Sequence, residues 1–211
     1  MWAQTYEAAR SLAHSFPGIR KIIPASIANT LKRKLRSLGI SESPDRTVMT
    51  KEILPALAAL KPARILFVGC QAYTARYDRW FASEQTEYWT IDVDPETARF
   101  GSPNRHVVDG VQNLGGHFAP AFFDAIVLNG VIGFGLDEPT AIAQGLRACH
   151  AVLRPGGVLL LGWNTDRSGD PLEMDAMQCC FQHRDALKIG ARRRRIPGCT
   201  HVYDTCVALP G

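Results

Sequence analysis

Residues 64–77, with the sequence RILFVGCQAYTARY, decide the fold that we predict for the chain. Residues 65–68 form a continuous apolar run, which is typical of a strand buried on both faces of a parallel sheet. Gly69 follows at the carboxyl end of this run, where a glycine lets the backbone turn tightly beside a ligand. The residues after it are compatible with a helix. The stretch therefore predicts the first strand and ligand loop of a nucleotide-binding α/β domain, with a buried strand and an ordinary turn as the alternative.

The composition is that of one cytosolic globular domain. A chain of 211 residues with 46% hydrophobic and 21% charged residues is long enough for one substantial core and short for two complete domains. No apolar run approaches the ~20 residues of a membrane span, and no signal-peptide pattern opens the chain, so we expect a soluble, cytoplasmic protein. The six cysteines include no C-x-x-C pair, which favours reduced thiols. Cys179, Cys180 and His183 match no zinc spacing, and we predict no metal site.

The first part of the chain predicts helices. One apolar stripe at helical spacing is formed by Trp2, Tyr6, Ala9, Ala13 and Phe16, and a second by Ile27, Leu31, Leu35 and Leu38. A third helix is expected from about residue 50 to residue 60. We therefore predict an N-terminal helical arm or lid over residues 1–60 and an α/β domain over residues 61–211. The basic cluster of residues 32–36 is interpreted as a solvated helix face, with nucleic-acid or membrane binding as the alternative.

Strand-like and helix-like stretches then alternate, which predicts a parallel sheet with helices on both faces. The expected strands are residues 88–93, 106–109, 123–128 and 158–163, with a long helix over residues 138–153. Residues 172–183 are expected to be helical. Residues 188–195 and 201–208 are predicted to pair as antiparallel strands at the sheet edge. The arginine run 192–195 within them is typical of a guarded edge strand, and recognition of an acidic substrate is the alternative.

Acidic residues follow two of these strands, at the edge where open parallel sheets bind ligands. Asp92 lies roughly 20 residues beyond Gly69, the spacing at which a carboxylate accepts the hydroxyl protons of a bound ribose. Asp94 is the competing assignment, or the cap of the next helix. Asp109, before Gly110, could accept a hydrogen bond from an adenine amino group or act as a turn residue.

Five motifs in order carry a resemblance to a known family. They are ILFVGC, TIDVDPE, HVVDGVQNL, FFDAIVLNGVIGFG and VLRPGGVLLLGWN, between residues 64 and 164. Together they resemble the class I S-adenosylmethionine-dependent methyltransferases. The resemblance implies a Rossmann-like sheet of seven strands whose last strand is antiparallel, with S-adenosylmethionine bound across the carboxyl ends of the strands.

The resemblance also implies roles for individual residues. Gly69 matches the glycine beside the methionine part, Asp92 the ribose acid and Asp109, with Gly110 after it, the adenine-side acid. Asn129 and Gly130 match the loop near the sulfonium and its methyl group.

The chain departs from the family pattern at two positions of the first motif. Tyr73 stands where the family usually has a glycine, and Phe67 where it often has an acid. Gln71 would obstruct a pyrophosphate, but S-adenosylmethionine carries no phosphate. The side chains of Gln71 and Tyr73 could instead bind its amino and carboxylate groups.

We therefore predict a small-molecule methyltransferase that acts by in-line transfer, which needs alignment more than a nucleophile. The candidates near the methyl group are Asn129, Trp163, Asn164 and Tyr77, with packing or loop capping as the alternative for each. For Tyr6 and His14, packing is the favoured interpretation. Two other functions stay open: non-methyl chemistry of the same cofactor that releases methylthioadenosine, and a silent methyltransferase-like binding protein. Nucleic-acid methylation is less favoured, and the sequence predicts no oligomeric state.

Overall fold

The computed structural model describes residues 43–82 and 85–211, and residues 44–211 form one compact unit. The first two predicted helices, the basic cluster of residues 32–36, and the candidates Tyr6 and His14 lie outside the described residues. The division into an arm of residues 1–60 and a domain of residues 61–211 stays a prediction. None of the described helices is long and apolar enough to cross a membrane.

A single mixed sheet of eight strands organises the unit. The strands are β1 (Arg64–Val68), β2 (Glu87–Asp92), β3 (His106–Val108), β4 (Phe123–Asn129), β5 (Leu153–Asn164), β6 (Phe181–His183), β7 (Arg193–Arg195) and β8 (His201–Ala208). Their order is β3-β2-β1-β4-β5-β8-β6, and β7 also pairs with β8. The first five strands are parallel, whereas β8 is antiparallel to β5. The predicted fold class is thus confirmed.

The centre of the sheet is buried on both faces, as its apolar runs predict. Ile65 and Leu66 of β1 are fully buried on opposite faces, and Ile126 and Leu128 of β4 are fully buried beside it. The predicted long helix is confirmed as α3 (Pro139–Val152), which covers one face together with the short helix α4 (Asp175–Cys180).

The opposite face is covered by a helical segment that begins earlier than predicted. It consists of α1 (Pro44–Val48), a π-helical turn (Met49–Ile53) and α2 (Leu54–Ala59). Met49, Ile53, Leu54 and Leu57 are buried against the sheet. This segment belongs to the same compact unit as the strands.

The prediction of a helix directly after Gly69 is wrong. Residues 72–76 form turns, and only a 3₁₀ helix (Tyr77–Phe81) follows them. The physical reason is local: the Thr74 hydroxyl accepts the Gln71 N–H at 3.0 Å, and the Thr74 N–H donates to the Gln71 carbonyl at 2.8 Å. A threonine that binds nearby backbone in this way competes with helical hydrogen bonds.

The outer edge of the sheet also differs from the expectation, since two short strands share one side of β8. β6 pairs with residues 206–208 and β7 with residues 202–204, so the sheet has eight strands where seven were expected. The predicted helix over residues 172–183 is limited to α4, because Phe181 leaves the helix, pairs with Ala208 and is buried in the core. The antiparallel pairing of the last two predicted strands is confirmed.

β5 begins at Leu153, five residues before the strand predicted over residues 158–163, and so includes the Pro-Gly-Gly segment of residues 155–157. Leu153 pairs with Phe123, and Val158 with Ala125, with a shift of register between them. Gly156 has a φ of +74° in this interval, which a glycine adopts without strain. The interruption is thus a bulge in a strand that begins earlier than expected.

Candidate active site

Two glycines open the backbone where β1 and β4 end. Gly69 and Gly130 have φ values of +91° and +66°, in the left-handed region that favours glycine. A Cβ on Gly69 would lie 3.2 Å from the Val131 side chain, so this turn is also too tight for a larger residue. A Cβ on Gly130 would meet no described heavy atom within 4 Å. A ligand can therefore approach the backbone closely at Gly130.

Asp92 lies at the end of β2, beside the loop that follows Gly69. Its Oδ2 accepts the backbone N–H of Cys70 at 2.6 Å, and its Oδ1 accepts that of Asp94 at 2.9 Å. Each carboxylate oxygen has a further lone pair, so Asp92 can also accept protons from ligand hydroxyls. Asp94 accepts the N–H of Glu96 at 2.9 Å and caps the 3₁₀ helix Pro95–Phe100, as its alternative interpretation requires.

Asp109 is held by its own loop. Its Oδ2 lies 2.7 Å from the His117 ring, and its Oδ1 accepts from Asn113 at 2.7 Å and from the Gly110 N–H at 2.6 Å. These hydrogen bonds, led by that of His117, lower the pKa of Asp109 to about 2. The carboxylate is therefore ionised at neutral pH. We call Asp92 and Asp109 the acidic side of the site.

The side chains of Gln71 and Tyr73 lie at the surface of the loop after β1. Tyr73 is 40% exposed, and the Arg46 guanidinium lies 3.7 Å from its ring centroid. This stacking brings the amino end of α1 beside the loop, since α1 contains Arg46. Cys70, next to Gly69, is buried, and burial together with the charge of Asp92 raises its pKa to about 11.

Asn129, Asn164 and a residue that the sequence analysis missed, His201, form a cluster at the ends of β4, β5 and β8. The His201 Nε2 lies 3.0 Å from Asn129 Oδ1, and its Nδ1 lies 2.8 Å from Asn164 Oδ1. Gly162 makes the space for this contact, because a Cβ there would overlap the Asn129 side-chain oxygen. We call these three residues the amide cluster.

His201 is buried, with 6% of its surface exposed. Burial lowers its pKa below the ordinary value, and the nearby charge of Asp45 opposes that change. The Tyr203 ring packs edge-on against it, with the ring centroids 4.6 Å apart, and the Tyr203 hydroxyl donates to the Asp45 carbonyl at 3.1 Å. The sequence predicts pairing of residues 201–208 only with residues 188–195, whereas in the structure β8 also pairs with β5, which sets His201 opposite Asn164.

The other two candidates near the methyl group lie in the core. Trp163 is 2% exposed and points to the opposite face of β5 from Gly162 and Asn164. Its indole N–H donates to Asp204 at 2.9 Å. Tyr77 is 5% exposed and its ring packs edge-on against Phe67, at a centroid distance of 6.1 Å. The structure therefore does not bring Trp163 into the amide cluster, and it leaves Tyr77 little exposed surface.

A buried ion-pair network supports the strands that carry the amide cluster. Asp204 of β8 is fully buried and receives two hydrogen bonds from Arg193, at 2.7 and 3.0 Å. Arg193 also binds Asp170 through both terminal nitrogens, at 2.6 and 2.9 Å. These carboxylates raise the pKa of Arg193 above its ordinary value. In the same run, Arg194 pairs with Glu52 at 3.1 Å.

Loops after β4 and β5 lie beside each other at the rim. Gly133 approaches Arg167 so closely that an added Cβ would lie 2.5 Å from the Arg167 Cβ. The Arg167 guanidinium also lies 5.3 Å from the ring centroid of Phe134, which is half exposed. An aromatic and a cationic side chain thus lie together in the loops that follow β4 and β5.

The chemistry of these groups fits S-adenosylmethionine. The open backbone at Gly69 and Gly130 can lie beside the methionine part, and Asp92 can accept from the ribose hydroxyls. Asp109 keeps unused lone pairs that can accept from an adenine amino group. Asn129 ends β4 and Gly130 follows it, so both stand at the same edge of the sheet as Asp92.

Comparisons with known proteins agree with this interpretation. The family described as "Methyltransferase domain" matches residues 66–161, the interval from β1 to β5. No curated protein matches the sequence.

Solved methyltransferases share the fold. One is the N-methyltransferase NodS from Bradyrhizobium japonicum in complex with S-adenosylhomocysteine, with a TM-score of 0.60 and 16% identity over 81% of this chain and 90% of that one. Another is a TehB-like SAM-dependent methyltransferase from Corynebacterium glutamicum, with a TM-score of 0.57 and 17% identity over 88% and 100%. A third is the 1,6-didemethyltoxoflavin-N1-methyltransferase from Burkholderia thailandensis, with a TM-score of 0.51 and 21% identity over 89% and 93%. The family match thus gives the chain a methyltransferase domain from β1 to β5, and the sheet order agrees with the class I S-adenosylmethionine-dependent methyltransferase fold.

Proposed function

We propose that the chain transfers the methyl group of S-adenosylmethionine to an amine nitrogen of a small molecule. The observation that carries the proposal is the amide cluster. Asn129 and Asn164 are amides that take up no proton, and both ring nitrogens of His201 already face them at 2.8 and 3.0 Å. None of the three is a free general base. An amine that binds in its neutral form needs no such base, whereas a hydroxyl acceptor benefits from one.

The chain contributes alignment and exclusion of water to this reaction. When bound, S-adenosylmethionine would supply an activated methyl group for in-line displacement by the acceptor lone pair, with S-adenosylhomocysteine as the leaving group. Asp92 would hold the ribose, and Gly69 and Gly130 would let the backbone follow the methionine part. Asn129 would orient the acceptor by a hydrogen bond. The Phe134 ring and Arg167 would line the entrance for the acceptor.

The arginine run supports a small acceptor better than a nucleic acid. Arg193 is bound to Asp204 and Asp170, and Arg194 to Glu52, so two of the four cations are already neutralised. A phosphate backbone is bound by cations that are free to replace its counterions. NodS and the didemethyltoxoflavin enzyme are described as N-methyltransferases, which also favours an amine.

The experiment is a product assay with three parallel sets of acceptors. The full-length chain is incubated with S-adenosylmethionine and small amines, matched alcohols and phenols, or transfer RNA at low salt, and the products are identified by mass spectrometry. We expect S-adenosylhomocysteine and a methylated amine. Methylation of alcohols alone would overturn the amine assignment, and methylation of RNA alone would overturn the small acceptor. Formation of methylthioadenosine without S-adenosylhomocysteine would contradict methyl transfer and would indicate another reaction of the same cofactor.

A further inference from the structure

The His201 ring lies between the side-chain oxygens of Asn129 and Asn164, and a neutral ring can donate a hydrogen bond to only one of them. Its Nδ1 faces Asn164 Oδ1 and its Nε2 faces Asn129 Oδ1. A neutral imidazole has one N–H and one bare nitrogen, whereas an imidazolium has two N–H groups. With a neutral ring, one of the two amides must therefore turn its NH₂ group toward the ring.

The surroundings favour the neutral ring. His201 is buried, and burial lowers its pKa. The charged or titratable described groups beside it are Asp45 from α1, Tyr203 on its own strand, and Cys199, whose sulfur accepts the His201 backbone N–H at 3.4 Å. Only the charge of Asp45 acts in the opposite direction to burial.

Contacts outside the ring decide which amide turns. The Asn164 Nδ2 donates to the Thr200 hydroxyl at 3.0 Å. Thr200 is itself held by Thr165, whose backbone N–H donates to the Thr200 carbonyl at 2.9 Å. Turning Asn164 would require the Thr200 hydroxyl to change from acceptor to donor. Turning Asn129 requires no second group to change, because its amide nitrogen has no hydrogen-bond partner within the described residues.

We propose that His201 is a positioning residue which, with its proton on Nδ1, holds the Asn129 amide with its oxygen directed to the methyl acceptor. In this arrangement Asn164 accepts from Nδ1, and the bare Nε2 accepts from the Asn129 NH₂ group. The freed Asn129 oxygen then accepts a hydrogen bond, so the site selects an acceptor atom that carries a hydrogen. The selection of such an acceptor rests on the proposed function, whereas the position of the proton does not.

The arrangement has a direction with pH. When His201 becomes protonated, both ring nitrogens donate, and the Asn129 oxygen is drawn back to the ring. The NH₂ group of Asn129 then faces the acceptor, which no longer finds a hydrogen-bond acceptor there. Methyl transfer is therefore expected to fall as the pH falls through the lowered pKa of His201, below the ordinary value for histidine.

The direct test is the position of the proton in the wild-type protein. The full-length chain is labelled with ¹⁵N-histidine, and the ring nitrogens of His201 are observed at pH 7.5 after through-bond assignment from the backbone, so no variant has to fold. A bare Nε2 with a protonated Nδ1 is the expected result. A proton on Nε2, or on both nitrogens, overturns the proposal.

Variants provide the second measurement. His201→Phe removes both ring contacts, and His201→Gln keeps one donor and one acceptor. His150→Gln is the matched control, since His150 contacts the Leu209 carbonyl away from the site. For the amine that turns over in the product assay, we expect kcat to fall about tenfold in His201→Phe, as for loss of one oriented hydrogen bond, with partial recovery in His201→Gln. The Kd for S-adenosylhomocysteine should stay unchanged.

Unchanged kcat in His201→Phe would overturn the positioning role. The two failures are distinguishable: a wild-type protein that methylates no amine but shows the Nδ1 proton contradicts the proposed function alone. An active wild-type protein with the proton on Nε2 contradicts the positioning role alone.

Discussion

The acidic side of the site, Asp92 and Asp109, differs from the amide cluster in charge and in how it is assembled. Asp92 ends β2 and Asp109 directly follows β3. Asp92 is held by the backbone of Cys70 and Asp94, and Asp109 by Gly110, Asn113 and His117. The amide cluster contains no carboxylate and comes from three strands, with Asn129 and His201 separated by 72 positions in the chain. The comparison teaches that one side depends on local turns and the other on the register of β8 against β5.

The largest effect is expected for the stability of β8, the strand that carries His201, because its buried Asp204 is paired with Arg193. Arg193→Ala leaves Asp204 fully buried without its main cation, which should lower the free energy of unfolding by about 3–5 kcal/mol. Urea unfolding measures the change. Arg192→Ala, an exposed neighbour in the same run, is the control and should change stability by less than about 0.5 kcal/mol. Equal losses in both variants would contradict a support role specific to Arg193.

The acidic side is tested by cofactor binding. Asp92→Ala removes the carboxylate acceptor, and a hydrogen bond to a carboxylate is worth about 1.5–3 kcal/mol, so the affinity for S-adenosylhomocysteine should fall roughly 10- to 100-fold. Isothermal titration calorimetry measures it. Asp94→Ala removes only the cap of a 3₁₀ helix and is the matched control. If Asp94→Ala weakened binding more than Asp92→Ala, the ribose assignment would pass to Asp94.

Gly162→Ala separates the two sides. The added Cβ would overlap the Asn129 side-chain oxygen and lie 3.0 Å from the His201 Nε2, so Asn129 must move. We expect kcat for the amine acceptor to fall about tenfold, while the affinity for S-adenosylhomocysteine stays within about twofold. Gly169→Ala is the control, because a Cβ there meets no described atom within 4 Å. A parallel loss of cofactor affinity in Gly162→Ala would show that the two sides are not independent.

The smallest effect is expected at Asp109. Its carboxylate already accepts from His117, Asn113 and Gly110, and these bonds lower its pKa to about 2. Asp109→Asn keeps one oxygen acceptor for Asn113 and the Gly110 N–H and should weaken S-adenosylhomocysteine binding by less than about threefold. Calorimetry should show no change in the affinity for S-adenosylhomocysteine between pH 5 and pH 8 that is due to Asp109, because the pKa of Asp109 lies below both values. A larger loss would make its charge part of adenine recognition.

How well the fold could be predicted also depends on whether a feature is set by local sequence or by contacts with other groups. Continuous apolar runs such as residues 65–68 identify strands buried on both faces, and α3 was visible because its apolar stripe is long. The prediction of a helix after Gly69 was wrong because the Thr74 hydroxyl binds the backbone of Gln71, three residues earlier. The spacing of apolar residues carries no information about such a side-chain contact. The helix predicted over residues 172–183 was too long, because Phe181 pairs instead with Ala208, which lies 27 residues further along the chain.

Within the candidate site, the residues that follow parallel strands were found in sequence. The glycine turn, Asp92, Asp109, Asn129 and Asn164 each stand at the carboxyl end of a strand, and all such ends meet at one edge of a parallel sheet. Trp163 shares that position but points to the other face, since side chains alternate along a strand. Whether it faces the ligand or the core depends on which face of the sheet the site occupies.

The sequence by itself determined the parallel sheet, the resemblance to a methyltransferase family and the strand ends at which the candidate ligand-binding residues stand, because apolar runs and strand ends are local properties. Only the tertiary structure decided that His201 joins Asn129 and Asn164, and that Trp163 turns away to Asp204. Both outcomes depend on the register of an antiparallel strand, where a shift of one residue would exchange the two faces. That register is accompanied by contacts between segments far apart in the chain, such as the Trp163–Asp204 hydrogen bond and the Asn164–His201 pairing.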